Sequence, residues 1–194
     1  MFLTPQQTNS KLIGLEHVYP TLKKEWDMHC HDIEWRDFTD YQQRTIAHSD
    51  QGHEIDGNSF ATAPISNEQS KWSIAPLFHN NIPYTRNTSI LPKIRKTMLW
   101  LGETQYVGMV KLAPDSGLGW HYDPDPNPFT QRIRCQLPFL TSISTLSVQN
   151  ENRPYAEGKL LIFMSSARHK VSNIGENDRI SLVFDIFRKG KGIL

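Results

Sequence analysis

This sequence of 194 residues has few cysteines, almost no net charge and no long apolar run. The two cysteines, Cys30 and Cys135, are too few for a disulfide framework and fit a reducing compartment. A net charge of +1 gives no basic surface of the kind that binds nucleic acid or an anionic membrane. No apolar run approaches the roughly 20 residues of a membrane span, and the N-terminus lacks the basic and apolar regions of a signal peptide. These absences predict a cytoplasmic protein that binds neither nucleic acid nor membranes.

The first half of the chain carries helical spacing and the second half carries strands. Apolar residues recur at helical intervals over residues 11–26 and 90–101. Five short strands, separated by turn residues, are predicted at residues 106–112, 132–140, 145–149, 159–164 and 180–187. Short strands at such regular spacing indicate an antiparallel sandwich or barrel. We therefore expect a mainly β fold with a jelly-roll core and N-terminal helices packed outside it.

Length favours a single domain over residues 1–194. Within it, residues 72–187 are expected to form the β core and residues 1–70 a flanking segment. The part of that segment over residues 40–70 is polar enough to be a candidate lid that closes over a substrate.

A histidine and an aspartate two residues apart, His121 and Asp123, form the first chemical motif. Residues i and i+2 of an extended backbone point to the same side, so both side chains can reach one ion. Asp125 lies on the same face and is a rival ligand, although we prefer Asp123. Alternatively, both aspartates are ordinary turn residues.

A second histidine, His169, lies 48 positions after His121 and just past an apolar strand. The chain turns straight back there, which suits a ligand at the mouth of a barrel. Two imidazoles and one carboxylate on one face of an ion leave other coordination positions open, as in the facial triad of non-haem Fe(II) oxygenases. We therefore predict that His121, Asp123 and His169 bind iron.

Arg179 follows on the returning strand, where alternation places it on one face with Ser181 and Val183. A guanidinium group and a hydroxyl on one face suit a bound carboxylate. A surface salt bridge is the alternative role for Arg179.

Two more arginines, Arg132 and Arg134, share a face of another predicted strand with Gln136. Inward-facing cations in a small barrel are costly unless they meet anions. We therefore assign at least one, preferably Arg134, to a carboxylate of a co-substrate or substrate. The alternative is that the pair faces solvent.

A cluster of metal-capable side chains also occurs at His29, Cys30, His31 and Asp32. No second ligand cluster follows at zinc-site spacing, so a hydrated loop or strand is preferred over a structural zinc site.

Together these segments resemble the aspartyl/asparaginyl β-hydroxylase family of Fe(II)- and 2-oxoglutarate-dependent oxygenases. The resemblance runs from Trp72 to about residue 187. It rests on the Pro114 lead-in to His121, the Arg132-Ile-Arg134 pair, the turn and strand that begin at Glu157, and His169 followed by Arg179-Ile-Ser181-Leu.

The resemblance implies a double-stranded β-helix core of the cupin-like type. It implies Fe(II), 2-oxoglutarate and O2 as the cofactor and co-substrates, with His121 and His169 as iron ligands. Arg179 would hold the distal carboxylate of 2-oxoglutarate with help from Ser181, and Arg134 would lie near the co-substrate or substrate.

The chain departs from the peptide-hydroxylating members of that family at two positions. Those members lack an acidic residue two places after the first histidine, where this chain has Asp123. In this respect it is closer to the bacterial amino-acid hydroxylases, such as cis-proline hydroxylases. A histidine that follows the second arginine in the peptide-hydroxylating members is Gln136 here. Related halogenases carry a small residue at the carboxylate position, so Asp123 favours hydroxylation.

The predicted function is therefore a dioxygenase that hydroxylates an amino acid or a small derivative and releases succinate and CO2. A peptide or protein aspartyl/asparaginyl β-hydroxylase is the alternative within the same chemistry, and a non-catalytic barrel that binds a small ligand is the alternative outside it. The protein would act as a monomer or homodimer. Four residues are predicted to contact the substrate or wall its pocket: Arg132, Trp120, Tyr122 and Trp72.

Overall fold

The computed structural model describes residues 1–37, 71–79, 81–102, 104–121, 123 and 130–189. The whole candidate lid over residues 40–70, together with Tyr122 and Asp125, lies outside these residues. Within them the helices are α1 (Pro5–Thr8), α2 (Lys11–His29), α3 (Thr85–Ile90) and α4 (Pro92–Leu101). No described helix combines the length and the apolar character needed to cross a membrane.

The strands of the described residues form two antiparallel sheets. In chain order they are β1 (Arg36–Asp37), β2 (Trp72–His79), β3 (Ile82–Pro83), β4 (Thr104–Leu112), β5 (Ser116–His121), β6 (Thr130–Leu140), β7 (Ser144–Val148), β8 (Glu151–Pro154), β9 (Leu161–Met164), β10 (His169–Asn173) and β11 (Arg179–Lys189). The larger sheet has the order β1-β2-β4-β11-β6-β9, with β3 paired to β2. The smaller sheet has the order β5-β10-β7-β8.

Two apolar cores hold these layers together. One lies between the sheets and combines residues of the larger sheet, such as Val110 and Phe163, with Leu146 and Val171 of the smaller one. The other joins the opposite face of the larger sheet to α2 and α4. The result is a mainly β jelly-roll sandwich with helices on its outer side, which confirms the predicted fold class.

Strand β11 shows how the two faces of the larger sheet contribute side chains to different cores. Its even-numbered residues from 180 to 186 are apolar and pack toward the helices. Its odd-numbered residues point to the other face, between the sheets, because side chains alternate along a strand. These odd-numbered residues are Arg179, Ser181, Val183 and Asp185. A row of polar side chains therefore enters the interior of the sandwich.

Helix α4 is anchored by a buried carboxylate from a distant part of the chain. Glu25 of α2 is 2% exposed, and its two oxygens accept the backbone N–H groups of Lys93 and Ile94 at 2.8 and 2.9 Å. Helices leave their first N–H groups without intrahelical partners, so Glu25 satisfies two of them. The helix ends at Leu101 and is followed by Gly102, whose φ of +98° suits a glycine.

Comparison with the sequence predictions confirms both helices and all five predicted strands to within a few residues. The five predicted strands did not include β1, β2, β3, β5, β8 or β10. His169 was expected just beyond a strand, whereas it is the first residue of β10. The helices lie against the larger sheet, outside the sandwich, as predicted.

Candidate metal centre

His121 and His169 lie side by side in the smaller sheet. They end β5 and begin β10, and the antiparallel register pairs them directly. Their ring centroids are 4.2 Å apart. Paired residues on neighbouring strands place their Cβ atoms close together, so the sheet itself brings the two imidazoles into one site.

Asp123 joins them from the chain just after β5. Its backbone N–H donates to the carbonyl oxygen of Ser165 at 3.0 Å, which ties it to the segment after β9. Its Oδ2 lies 3.8 Å from Nε2 of His169. One potential ligand atom from each of the three residues lies within 4.8 Å of the other two, and no other such group occurs among the described residues.

Both imidazoles are held in the form that binds metals. Nδ1 of His121 lies 2.7 Å from the carbonyl oxygen of Gly119, and Nδ1 of His169 lies 2.8 Å from that of Ala167. A carbonyl oxygen only accepts, so each Nδ1 carries a proton and Nε2 is the nitrogen that is left to face an ion. Burial, reinforced by His121, lowers the pKa of His169 to about 3, so that ring is neutral at physiological pH.

The carboxylate of Asp123 is buried and charge-compensated. It is 3% exposed and accepts a hydrogen bond from Nη1 of Arg134. Burial raises the pKa of Asp123, and the positive charge of Arg134 opposes that rise. Arg134 also donates to both carboxylate oxygens of Asp185, from Nε at 2.8 Å and from Nη2 at 2.9 Å.

The three residues line a cavity between the two sheets. Its walls include the aliphatic side chains of Val110, Leu118, Val171 and Val183. A mostly apolar cleft with a few convergent polar groups is typical of a small-molecule site.

Arg179 lines the same cavity and belongs to a polar group that the sequence did not fully reveal. Its Cζ lies 4.4 Å from the centre of the Tyr155 ring, and its Nη1 lies 3.5 Å from Oε1 of Gln136. The hydroxyl of Tyr155 donates to the same Gln136 oxygen at 2.6 Å. Tyr155 was not predicted, because it follows β8 in a polar stretch without periodicity.

Two buried donors beside this group have no hydrogen-bond partner in the part of the chain that the structure describes. They are Nε of Arg179 and Oγ of Ser181. The two residues are 3% and 0% exposed. Buried polar atoms are almost always satisfied, so such a pair indicates an acceptor beyond the described residues, of the kind that a bound carboxylate would supply.

The other predicted arginine, Arg132, is 1% exposed, which rules out the alternative that the pair faces solvent. Its Nε donates to Oγ of Ser165 at 3.1 Å and lies 4.0 Å from a carboxylate oxygen of Asp185. Arg134 contacts Asp123 and Asp185, so its assignment to a co-substrate or substrate carboxylate stays a prediction.

The predicted aromatic residues fall in different places. Trp72 lines the cavity. Trp120 is 37% exposed and sits between Arg168 and Lys170 on the outer surface, so the structure does not bring it to the cavity. Tyr122 lies outside the described residues.

The cluster at the end of α2 is not assembled around one point. Asp32 lies 3.9 Å from Nδ1 of His29 and 3.5 Å from Nε2 of His31, and all three side chains are largely exposed. These contacts join exposed side chains at the surface, where His29 ends α2 and residues 30–32 form a turn rather than the loop or strand that the sequence favoured.

Comparison with known proteins adds a family. A family model described as aspartyl/asparaginyl beta-hydroxylase matches residues 18–189, most of the chain. No curated protein sequence matches the chain.

Among solved structures, an oxidoreductase of the 2OG-Fe(II) oxygenase family from Burkholderia pseudomallei is 18% identical, over 62% of this chain and 68% of that one, with a TM-score of 0.43. A predicted oxalate decarboxylase from Thermotoga maritima is 16% identical, over 61% and 82%, with a TM-score of 0.40. A cupin domain from Schizosaccharomyces pombe is 12% identical, over 64% and 71%, with a TM-score of 0.42. Identities and TM-scores this low say nothing about activity.

Proposed function

This chain belongs to the aspartyl/asparaginyl beta-hydroxylase family, and from that premise we propose that it is an Fe(II)- and 2-oxoglutarate-dependent dioxygenase that hydroxylates an amino acid or an amino-acid-containing substrate. The observation that carries the proposal is the buried group of His121, Asp123 and His169 at one cavity.

The donor set of this group fits Fe(II). His121 and His169 are both oriented with Nδ1 toward a backbone carbonyl, which leaves the Nε2 lone pairs for an ion. Asp123 supplies the anionic ligand. Two imidazoles and one carboxylate are the ligand types that non-haem Fe(II) oxygenases use, with other positions left for substrates. When bound, Fe(II) and 2-oxoglutarate supply the activation of O2, with succinate and CO2 as co-products.

The cavity also fits a dicarboxylate co-substrate. Arg179 and Ser181 present a guanidinium N–H and a hydroxyl that are buried without partners among the described residues. A carboxylate oxygen accepts from both donor types, and the charge of Arg179 strengthens the contact. We therefore assign these two residues to the distal carboxylate of 2-oxoglutarate, and we assign Tyr155 and Gln136 to holding the Arg179 guanidinium in place.

The apolar walls of the cavity would keep water away from the reacting groups. Val110, Leu118, Val171 and Val183 surround the charged groups with side chains that cannot bind water. Excluding water strengthens the electrostatic contacts of a bound co-substrate and protects reactive species from side reactions. A cavity set between the two sheets favours a free amino acid or small derivative as substrate. A peptide or protein side chain is the alternative.

The proposal is tested by measuring succinate formation from 2-oxoglutarate with Fe(II) and O2, with and without a panel of free amino acids and short peptides. Turnover should rise with a particular substrate and should be lost in His121→Ala and Arg179→Ala. Turnover that survives both substitutions would contradict the site assignment. Wild-type protein that binds no Fe(II) would favour the non-catalytic ligand-binding barrel instead.

A further inference from the structure

The Asp123 carboxylate is bound by Arg134 of β6, which is bound in turn by Asp185 of β11. Nη1 of Arg134 donates to Asp123, while Nε and Nη2 of the same guanidinium donate to the two oxygens of Asp185 at 2.8 and 2.9 Å. Asp123, Arg134 and Asp185 are 3%, 5% and 1% exposed.

The Arg134–Asp185 pair is rigid for two reasons. The two residues are direct partners in the antiparallel register of β6 and β11. Two parallel N–H···O contacts between a guanidinium and a carboxylate fix their relative orientation as well as their distance. The contacts with Asp185 therefore fix the Arg134 side chain independently of its contact with Asp123.

Asp123 needs such support more than the two histidines do. The histidines belong to paired strands and have their Nδ1 atoms fixed by backbone carbonyls. Asp123 lies beyond the end of β5, where its backbone N–H contact with Ser165 fixes the main chain but not the carboxylate. The hydrogen bond from Arg134 orients the carboxylate itself.

We infer that Arg134, held by Asp185, is a positioning residue that orients Asp123 for metal binding. The inference rests on the proposed function, because it concerns the metal which that function requires. It also gives Arg134 a different role from a substrate anchor. Two carboxylates already balance its charge, so its pull on a further anion is weak.

Charge and orientation predict opposite effects of removing Arg134. On charge alone, removing a cation beside a metal site tightens metal binding. If Arg134 orients Asp123, its removal weakens metal binding, and loss of such an outer partner typically costs about 10- to 100-fold in affinity. The sign of the change therefore distinguishes the two roles.

The experiment measures Mn(II) affinity by calorimetry, without 2-oxoglutarate, for wild type and Arg134→Gln. We expect about 10- to 100-fold weaker binding in the variant. Arg179→Gln is the matched control, since it removes the same charge from the same cavity but no described contact with Asp123. Its Mn(II) affinity should not fall. The absorption spectrum of the Co(II)-loaded protein should change in Arg134→Gln and stay unchanged in Arg179→Gln.

Arg134→Gln leaves Asp185 buried without its partner, and this variant is open to the objection that it folds poorly. The double variant Arg134→Gln/Asp185→Asn removes one charge of each sign, so Asp185 no longer carries an unpaired charge. It should match wild type in circular dichroism and still bind Mn(II) about 10- to 100-fold more weakly. Arg134→Lys, which can place a single charge but not a two-point contact, should restore the affinity only in part.

The outcomes separate the two proposals. Wild-type protein that binds no Mn(II) or Fe(II) would remove the proposed function and this inference together. Wild-type binding with unchanged or tighter binding in the folded Arg134 variants would overturn the inference alone.

Discussion

The Arg179 guanidinium packs on the Tyr155 ring at 4.4 Å, and Gln136 contacts both residues through a single oxygen. A buried aromatic ring beneath a guanidinium both attracts it and limits its rotation. The cation that we assign to the co-substrate is therefore held in place on the side of Tyr155 and Gln136, while its Nε and the Ser181 hydroxyl stay without partners among the described residues.

Tyr155→Phe should weaken 2-oxoglutarate binding without affecting the metal. The substitution keeps the ring under Arg179 but removes the hydroxyl that donates to Gln136 at 2.6 Å. Loss of one such hydrogen bond is worth about 1 kcal/mol, or roughly fivefold in the KM for 2-oxoglutarate. Tyr84→Phe, at a tyrosine that does not line the cavity, is the control and should leave KM unchanged. An unaltered KM in Tyr155→Phe would mean that Gln136 and Arg179 need no support from the hydroxyl.

The metal-free protein should lose stability as the pH falls below neutrality, because His169 is buried in its neutral form. Its pKa is lowered from 6.5 to about 3, chiefly by burial. Between these values the unfolded chain binds a proton that the folded protein does not, so the contribution is complete above pH 6.5 and declines toward pH 3. The slope from this one group is at most about 1.4 kcal/mol per pH unit.

Urea unfolding of the metal-free protein at pH 7 and pH 5 measures this effect. His169→Gln should lose less free energy of unfolding between the two pH values than wild type does. His17→Gln, at an exposed histidine, should show the wild-type loss. Equal losses in wild type and His169→Gln would show that another group dominates the acid sensitivity.

Glu25→Ala should destabilise the fold without touching the cavity. Glu25 accepts two backbone N–H groups at the start of α4 and is almost fully buried, so its removal leaves both groups unsatisfied. A lost helix cap typically costs about 1 kcal/mol. Thermal unfolding should show a clear drop in Tm. Glu176→Ala, at an exposed glutamate, should unfold like wild type, and an equal Tm in both variants would contradict the capping role.

The part of the site that the sequence revealed is the part set by local periodicity. Arg179, Ser181 and Val183 share a face because a strand repeats every two residues, and the structure puts them on the face between the sheets. The same alternation extends to Asp185, so a signal for that residue was present in the sequence. It was missed because the role of Asp185 depends on its pairing with Arg134 of the neighbouring strand, which the sequence does not show.

The part that the sequence did not reveal depends on pairing between distant segments. The register that brings His169 against His121 is a property of the β5–β10 pair, and neither of these strands was predicted. Tyr155 reaches Arg179 and Gln136 from a segment outside the strands, where no periodicity marks a residue as buried. Long-range strand pairing follows from the packing of whole sheets and not from any short window of sequence.

Asp123→Gly should weaken Fe(II) binding and abolish most turnover, because it removes the anionic member of the group that includes His121 and His169. It also removes the acceptor of the Arg134 hydrogen bond, so the cation is left facing the metal site. Both effects lower Fe(II) affinity, and we expect a loss of at least about 10- to 100-fold, the range found for weaker outer-partner substitutions. The matched control is Asp125→Gly, which makes the same chemical change at the rival ligand that the sequence offered. Fe(II) titration and succinate formation, measured for both variants, decide between the two aspartates. A loss confined to Asp123→Gly supports the assignment, and a loss confined to Asp125→Gly would transfer the ligand role to Asp125.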